Sequence, residues 1–244
     1  MSFTVIPAID LRGGRCVRLL QGDYAQETAY SEDPVGMAVQ WQELGAPMLH
    51  VVDLDGARAG RAMQADIVAA ICAALRIPVE ISGGMRTLES VREAVKRGAS
   101  RVQVGSAAVK DPEMLRAACA AYPEAIVVSI DAKGGEVMTD GWTEGGGVSA
   151  LDLAARVVAD GAARIMYTDI SRDGALQGPN VEALREMVAA VPVPVIASGG
   201  ITTIEQLRDV MATGCEGAII GKALYEGQID LREALAAARR TGGR

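Results

Sequence analysis

Two stretches of this chain are near-copies of each other: VEISGGMRTLESVREAVKRGASRVQVGSAAV at residues 79–109 and VIASGGITTIEQLRDVMATGCEGAIIGKALY at residues 195–225. The glycines of the two stretches align at a constant offset of 116 positions, as in 199 − 83. An aspartate pair, Asp53 and Asp169, keeps the same offset. The chain is therefore predicted to contain two similar halves, roughly residues 1–120 and 121–240.

Short apolar runs alternate along the chain with longer segments of helical periodicity. Runs such as IVVSI are apolar almost throughout, which is typical of parallel strands buried on both faces beneath helices. Two equal halves of four strands favour closure into a barrel over an open sheet, because closure buries the edges of both halves. The 244 residues also match the length of a (β/α)8 TIM barrel. We predict one barrel over residues 1–244, built from two tandem half-barrels.

The predicted strands are residues 3–9, 48–53, 79–82, 101–104, 126–131, 164–168, 195–197 and 217–220. Predicted helices include residues 34–44, 88–97, 112–121, 151–159 and 204–212. In barrels of this class the functional site lies at the carboxyl ends of the strands. Residues at the strand ends are therefore the candidates for binding and catalysis.

The bulk composition argues against several classes of protein. A net charge of −7 offers no basic surface to nucleic acid or to an anionic membrane. The four cysteines are far apart and show neither zinc-ligand nor disulfide spacing. The first residues lack the pattern of a signal peptide, and no apolar run is long enough to span a membrane. We expect a soluble, cytoplasmic protein that is a monomer.

Four strand ends are rich in glycine, and each leads directly into a predicted helix. Backbone N–H groups at such turns are unpaired, and glycine lets an anion approach them closely. Any strand-to-helix turn favours glycine, so one such turn would mean little, but four in two matched pairs predict two phosphate sites. No P-loop motif is present, which argues against nucleotide triphosphate chemistry. The candidate phosphate-binding residues are Gly83, Gly84, Gly105, Ser106, Gly199, Gly200, Gly221 and Lys222.

Two aspartates end the first and fifth predicted strands. Asp10 closes IPAID and Asp131 closes VVSID, in the similar segments IDLRGG and IDAKGG. Strands one and five are diametrically opposed in an eight-stranded barrel, so the two carboxylates should face each other across the mouth. One could remove a proton while the other donates one, provided that their surroundings give them different protonation states. The alternative is that each aspartate only caps the turn that follows it.

Other residues near the strand ends carry weaker signals. We predict that Thr168 and Asp173 assist the acid or bind ribose hydroxyls, although an Asp-Gly turn explains Asp173 equally well. Trp142 could stack on a flat heterocycle, with packing as the alternative. His50 lies within a strand and is predicted to be a packed core residue. Its predicted place in the core argues against a Ser-His-Asp triad, and because His50 is the only histidine, the chain cannot form a histidine-rich metal site.

Several segments, taken together, closely resemble one family: IPAIDLRGGRCVRLLQGDY, LHVVDLDGA, EISGGMR, VGSAAV, SIDAKGG, GWTE, YTDISRDGALQGPN and IASGGI. That family is the cofactor-independent isomerase of histidine biosynthesis that acts on phosphoribosylformimino-aminoimidazole carboxamide ribotide. The resemblance extends from residue 6 to residue 225. It implies a duplicated half-barrel, an Amadori rearrangement of an aminoaldose to an aminoketose, a bisphosphorylated substrate, and no metal or other cofactor.

The resemblance also implies roles for individual residues. Asp10 matches the general base, and Asp131 matches the general acid that protonates the ribose ring oxygen. Thr168 and Asp173 match positions near the acid. Trp142 matches a loop that covers the ligand, and Arg18 matches a mobile loop after strand one that reaches the substrate.

Two relatives of the family differ at readable positions. The cyclase subunit of imidazole glycerol phosphate synthase shares the duplicated barrel, but typically has Cys-Leu-Asp in place of Ala8-Ile9-Asp10 and lysine in place of Arg18. A bifunctional actinobacterial form, which also isomerises phosphoribosylanthranilate, has arginine where this chain has Asp140. We therefore predict an isomerase with a single substrate. A sugar-phosphate binding module and another sugar-phosphate enzyme of the same fold, such as a cyclase or epimerase, remain alternatives.

Overall fold

The computed structural model describes residues 3–241, which form a closed barrel of eight parallel strands surrounded by helices. The strands are β1 (Thr4–Arg12), β2 (Arg15–Leu20), β3 (Asp23–Ser31), β4 (Leu49–Asp53), β5 (Val79–Ser82), β6 (Arg101–Val104), β7 (Ile126–Lys133), β8 (Glu136–Thr139), β9 (Glu144–Ser149), β10 (Arg164–Asp169), β11 (Val195–Ser198) and β12 (Gly217–Ile220). The barrel itself is formed by β1, β4, β5, β6, β7, β10, β11 and β12.

Closure of the barrel depends on the pairing of its first strand, β1, with its last strand, β12. These two strands run parallel, and their register extends from Thr4 opposite Gly217 to Pro7 opposite Ile220. Strand β1 also pairs with β4, and on the other side of the ring β7 lies between β6 and β10. Strands β1 and β7 are therefore four places apart in a ring of eight, on opposite sides. The predicted TIM barrel is confirmed.

The helices follow the strands and cover the outside of the sheet. The helices are α1 (Pro34–Glu43), α2 (Leu54–Ala59), α3 (Ala65–Ala74), α4 (Leu88–Lys96), α5 (Ser106–Lys110), α6 (Pro112–Ala121), α7 (Ala150–Ala159), α8 (Val181–Ala190), α9 (Ile204–Met211), α10 (Lys222–Tyr225) and α11 (Leu231–Thr241). All five predicted helices agree with these bounds to within one residue at each end, because polar caps fix where they begin; Thr87 and Ser90, for example, form a reciprocal capping box. Within residues 3–241, no helix has both the length and the apolarity required to cross a membrane.

Two β-hairpins extend the barrel at its carboxyl rim. The sequence predicted loops after strands one and five, but β1 and β7 are longer than predicted, and each turns back at a Gly-Gly pair to form antiparallel strands. The first hairpin consists of β2 and β3, and the second consists of β8 and β9. The same device thus follows the first strand of each half and rises over the mouth of the barrel.

The core has two parts. The larger apolar cluster includes the outward-facing residues of the strands and the inner faces of the helices. A smaller cluster fills the barrel itself and consists of Ile6, Ala8, Met48, Val127, Met166, Ile196 and Ile219. At the amino end of the barrel, Glu216 accepts hydrogen bonds from Nε of Arg164 at 2.9 Å and from Arg101 at 3.2 Å. All four cysteines are free thiols.

The loop after β4 is organised by the buried carboxylate of Asp53. Its Oδ1 accepts the Gly56 N–H at 2.7 Å, and its Oδ2 accepts the N–H groups of Met63 at 2.6 Å and Gln64 at 2.8 Å. Asp169, its partner in the repeat, likewise accepts hydrogen bonds from three donors in the loop after β10. These two aspartates therefore fix the rim loops and do not face the cavity.

Asp53→Ala should reduce the free energy of unfolding by about 2–4 kcal/mol, because it leaves three backbone N–H groups without their charged acceptor. Urea denaturation measures this change. Asp209→Ala, at an exposed helix position, is the control and should leave the urea midpoint unchanged. A loss below about 1 kcal/mol in Asp53→Ala would show that water replaces the carboxylate at little cost.

Candidate active site

A cavity of ≈ 190 Å³ opens at the carboxyl rim of the barrel, between the two hairpins. Asp10 and Asp131 approach it from opposite strands, β1 and β7. All four residues predicted to be catalytic line the cavity: Asp10, Asp131, Thr168 and Asp173. Six of the predicted substrate- and phosphate-binding residues line it as well, among them Arg18 and Trp142. Within the described part of the chain, no three His, Cys, Asp or Glu side chains are grouped so as to hold a metal ion.

Asp10 is paired with a buried cation. A guanidinium nitrogen of Arg18 lies 2.9 Å from Oδ1 of Asp10, and both side chains are almost inaccessible to solvent. Burial raises the pKa of Asp10, the positive charge of Arg18 opposes that rise, and the negative charge of Asp173 adds to it. Arg18 was expected in a mobile loop; it lies in strand β2, and its guanidinium packs so closely on Gly221 that a Cβ there would overlap it.

Asp131 has different surroundings. Burial raises its pKa, and hydrogen bonds from Trp142, Thr168 and Ser129 oppose the rise. The Ser129 hydroxyl donates to Oδ1 of Asp131 at 3.2 Å. The three hydrogen-bonding partners are neutral, whereas the main partner of Asp10 is a cation. The two carboxyl groups therefore sit in unlike electrostatic environments, as acid–base chemistry between them requires.

Asp173 connects the two sides of the cavity. It lies in the loop after β10, and its negative charge raises the pKa of both Asp10 and Asp131. Burial raises the pKa of Asp173 itself, while Arg18, the Gly174 N–H and Lys222 oppose the rise. Three acidic groups thus share one cavity, and their mutual repulsion favours retention of a proton in the group that lacks a cation.

The glycine-rich strand ends lie on both sides of the cavity. Gly83, Gly84, Gly105 and Ser106 line the main cavity, whereas Gly199, Gly200, Gly221 and Lys222 line an adjoining space of ≈ 30 Å³. Gly83 has a φ of +101°, and a Cβ there would overlap the carbonyl oxygen of Asp53, so packing alone requires glycine at that position. At Gly105, by contrast, the nearest atom to a Cβ would be 3.8 Å away. Space for a ligand therefore explains Gly105 better than packing does.

The two hairpins meet over the cavity. Trp142, in the turn of the second hairpin, packs directly on Gly22 in the turn of the first, where a Cβ would overlap its ring. The sequence offered stacking on a heterocycle or packing as roles for Trp142; the structure shows a packing contact and places the ring on the cavity wall. The indole also reaches Asp131. This side chain therefore joins the cover of the site to its carboxyl group.

Asp140 fastens the second hairpin to the first-half glycine turns. One carboxylate oxygen lies 3.0 Å from Arg86, the other pairs with Lys110, and the Asp140 N–H donates to the Ser106 hydroxyl at 2.9 Å. Sequence reasoning missed Arg86, although its position directly after Gly84 and Met85 was a readable signal. His50 was predicted to be only a packed residue; it is buried, but it also lines the cavity.

Comparison with known proteins identifies the family of this chain. The family described as "Histidine biosynthesis protein" matches residues 4–230. The chain belongs to that family. Relatives in it from Dehalococcoides mccartyi (strain CBDB1), Roseiflexus castenholzii and a Picosynechococcus species are 51%, 51% and 50% identical, each over 96% of this chain and over 96%, 98% and 92% of their own lengths. All three bear the name 1-(5-phosphoribosyl)-5-((5-phosphoribosylamino)methylideneamino) imidazole-4-carboxamide isomerase.

Arg18→Gln should raise the pKa of Asp10 further, because it removes the cation that opposes the effect of burial. Carboxyl carbon chemical shifts followed by NMR through a pH titration measure this change. A pKa above the unfolded value of 3.8 means that the folded state binds the proton more tightly, so the free energy of unfolding falls as pH rises from the unfolded to the folded pKa. That fall should extend to higher pH in the variant.

The matched control is Arg86→Gln, because Arg86 pairs with Asp140 and not with Asp10. It should leave the titration of Asp10 unchanged. An equal shift in both variants, or none in Arg18→Gln, would contradict the assignment of Arg18 as the cation that governs Asp10.

Proposed function

We propose that this protein is the isomerase of histidine biosynthesis that converts the phosphoribosylformimino aminoaldose into its aminoketose by an acid–base Amadori rearrangement. Relatives at about half identity over nearly the whole chain carry the name of this isomerase. The observation that carries the proposal is the pair of carboxyl groups, Asp10 and Asp131, which face one cavity from opposite strands in unlike electrostatic surroundings.

Asp10 is the general base and Asp131 the general acid. Support comes from their partners: the positive charge of Arg18 favours the carboxylate form of Asp10, whereas the hydrogen-bonding partners of Asp131 are neutral side chains. Asp131 protonates the ribose ring oxygen, and the ring opens to a protonated Schiff base. Asp10 then removes the proton from C2, and the enolamine tautomerises to the ketose.

The remaining residues support these two. Thr168 orients Asp131 through a hydrogen bond, and Asp173 favours the protonated form of Asp131. Trp142 closes the second hairpin over the substrate, and Arg18 contributes to substrate binding as well as to the charge balance of Asp10. Closure excludes water, which would otherwise hydrolyse the Schiff base.

The two phosphates of the substrate bind at the two glycine-rich ends of the site, with the reacting sugar between them. The first phosphate site comprises Gly83, Gly84, Gly105 and Ser106, and the second comprises Gly199, Gly200, Gly221 and Lys222. Backbone N–H groups at these turns are suited to phosphate oxygens. The pairing of the two sites by the sequence repeat supports one barrel of two half-barrels, each of which supplies one phosphate site and one reacting carboxyl group.

The reaction needs no metal, nucleotide or ammonia source. The test is to incubate the purified protein with the aminoaldose alone in the presence of EDTA and to follow formation of the aminoketose. A requirement for ammonia would favour a cyclase, and a product that keeps the aldose skeleton would favour an epimerase. We further propose that the enzyme is cytoplasmic and monomeric. We also propose that it binds neither nucleic acid nor membranes, because its net charge of −7 disfavours contact with anionic surfaces.

Asp10→Asn and Asp131→Asn should each lower kcat at least about 100-fold, because each removes one proton-transfer group. Affinity for the substrate should stay within about threefold of the original, since the phosphate sites are untouched. Steady-state kinetics and calorimetric titration measure the two quantities. Asp111→Asn, which replaces a helix cap outside the cavity by an equally good cap, is the control. Unchanged turnover in both cavity variants would contradict the roles of the two carboxyl groups, whereas binding without turnover by the original protein would favour a binding module.

The protein should not turn over phosphoribosylanthranilate. Asp140 would repel the carboxylate of that substrate, and it already engages Arg86 and Lys110, the cations nearest to it. Fluorescence of the anthranilate group follows the reaction. The Asp10→Asn variant, purified in parallel, reveals any contaminating activity, and turnover by the original protein above that background would refute a single-substrate enzyme.

A further inference from the structure

A polar group lies inside the barrel, directly below the cavity, and the mechanism proposed above makes no use of it. Nδ1 of His50 lies 3.0 Å from Oε1 of Glu80, and Nε2 of Gln103 donates to the same oxygen at 2.8 Å. The Glu80 carboxylate is completely buried, and His50 and Gln103 are only 4% and 2% exposed. We call these three residues the floor triad.

The fold does not require polar residues at these positions. At the repeat offset of 116, His50, Glu80 and Gln103 correspond to Met166, Ile196 and Ile219, as in 166 − 50. Those three counterparts belong to the apolar cluster that fills the rest of the barrel. The same scaffold therefore builds this layer once from polar and once from apolar side chains.

Stability does not explain the floor triad either. Moving a carboxylate out of water is costly, and well-packed apolar replacements of buried polar groups are often neutral or stabilising. The hydrogen bonding is also incomplete, because Oε2 of Glu80 and Oε1 of Gln103 are buried without a hydrogen-bond partner. The closest cation to Oε2 is Arg101, at 3.8 Å. The polar half of the floor thus needs a reason other than folding.

The geometry supplies such a reason. His50 and Gln103 line the cavity, whereas Glu80 does not. A carboxylate only accepts hydrogen bonds, so Nδ1 of His50 carries the hydrogen in that contact, and in the tautomer with a single N–H the Nε2 atom is left as an acceptor. In the pairing of β4 with β1, His50 stands opposite Ala8, two residues before Asp10. The imidazole therefore lies one layer below the base, on the neighbouring strand.

We propose that His50 is a further catalytic residue, whose Nε2 accepts a hydrogen bond from the hydroxyl on the substrate carbon that Asp10 deprotonates. Glu80 and Gln103 are positioning residues, which fix the ring and its tautomer. This inference rests on the proposed isomerase function. The role of His50 explains why the polar half of this layer is the half next to Asp10. Next to Asp131, Ser129 and Met166 occupy the positions that Ala8 and His50 occupy next to Asp10.

The decisive variant gives the first half the residues of the second: His50→Met, Glu80→Ile and Gln103→Ile together. Because no charge or polar group is left buried without a partner, the variant should fold and melt at or above the original temperature. We expect kcat to fall at least tenfold with KM within about threefold, since the phosphate sites remain. A purely structural role would move the melting temperature and leave kcat unchanged.

A second variant guards against a folding failure. His50→Gln retains an amide donor for Glu80, so the buried carboxylate keeps its partner, and the same loss of kcat is expected. Glu80→Gln keeps the shape but lowers the strength of the contact to the ring, and should give a smaller loss of kcat. Ile196→Val, in the same layer of the other half, is the control; its kcat should not change.

The outcomes separate the two proposals. An original protein that converts the substrate, beside His50 variants whose kcat falls less than tenfold, overturns the role of His50 and leaves the isomerase function intact. An original protein that does not convert the aminoaldose overturns both. A loss of kcat at nearly constant KM in the triple variant and in His50→Gln, with the control unaffected, supports the inference.

Discussion

The parallel pairing of β1 with β12, the first and last strands of the barrel, is the interaction on which the rest of the molecule depends, because it closes the sheet. Once eight parallel strands form a ring, all their carboxyl ends lie at one rim, and residues on strands four places apart must face each other. Asp10 and Asp131 come together for this reason, although 121 residues separate them in the chain (131 − 10). No local interaction between the two segments is needed.

Closure by itself creates an electrostatic problem, which the hairpins resolve. Three acidic groups share one cavity, and burial raises the pKa of each. A symmetric arrangement would leave the two facing carboxyl groups equivalent. The first hairpin brings Arg18 to Asp10, whereas the second brings the neutral indole of Trp142 to Asp131. The corresponding hairpins of the two halves thus deliver unlike partners from different positions, and that difference separates a base from an acid.

The sequence predicted those features that depend on local pattern or on the repeat. Helix ends followed from caps, and the aspartates followed from the order of the strands. Both hairpins were missed, although Gly13-Gly14 and Gly134-Gly135 are turn signals. In the first hairpin, the β3 segment DYAQETAYS is largely polar and exposed, so it lacks the apolar pattern of a buried strand. The inward direction of His50 was also missed. A strand buried on both faces lacks the alternation that tells the barrel interior from the helix-facing side.

The repeat also separates what the fold requires from what chemistry requires. Where both halves carry the same residue for the same contact, as with Asp53 and Asp169 in their rim loops, the residue serves the scaffold. Where the halves differ at equivalent positions in one buried layer, the scaffold does not dictate the polar set, since the second half has apolar side chains at the same positions. The polar set costs more free energy to bury, because it places a carboxylate beside an imidazole inside the barrel. Its presence is then explained by the part of the cavity directly above it, which in this barrel is the side that carries Asp10.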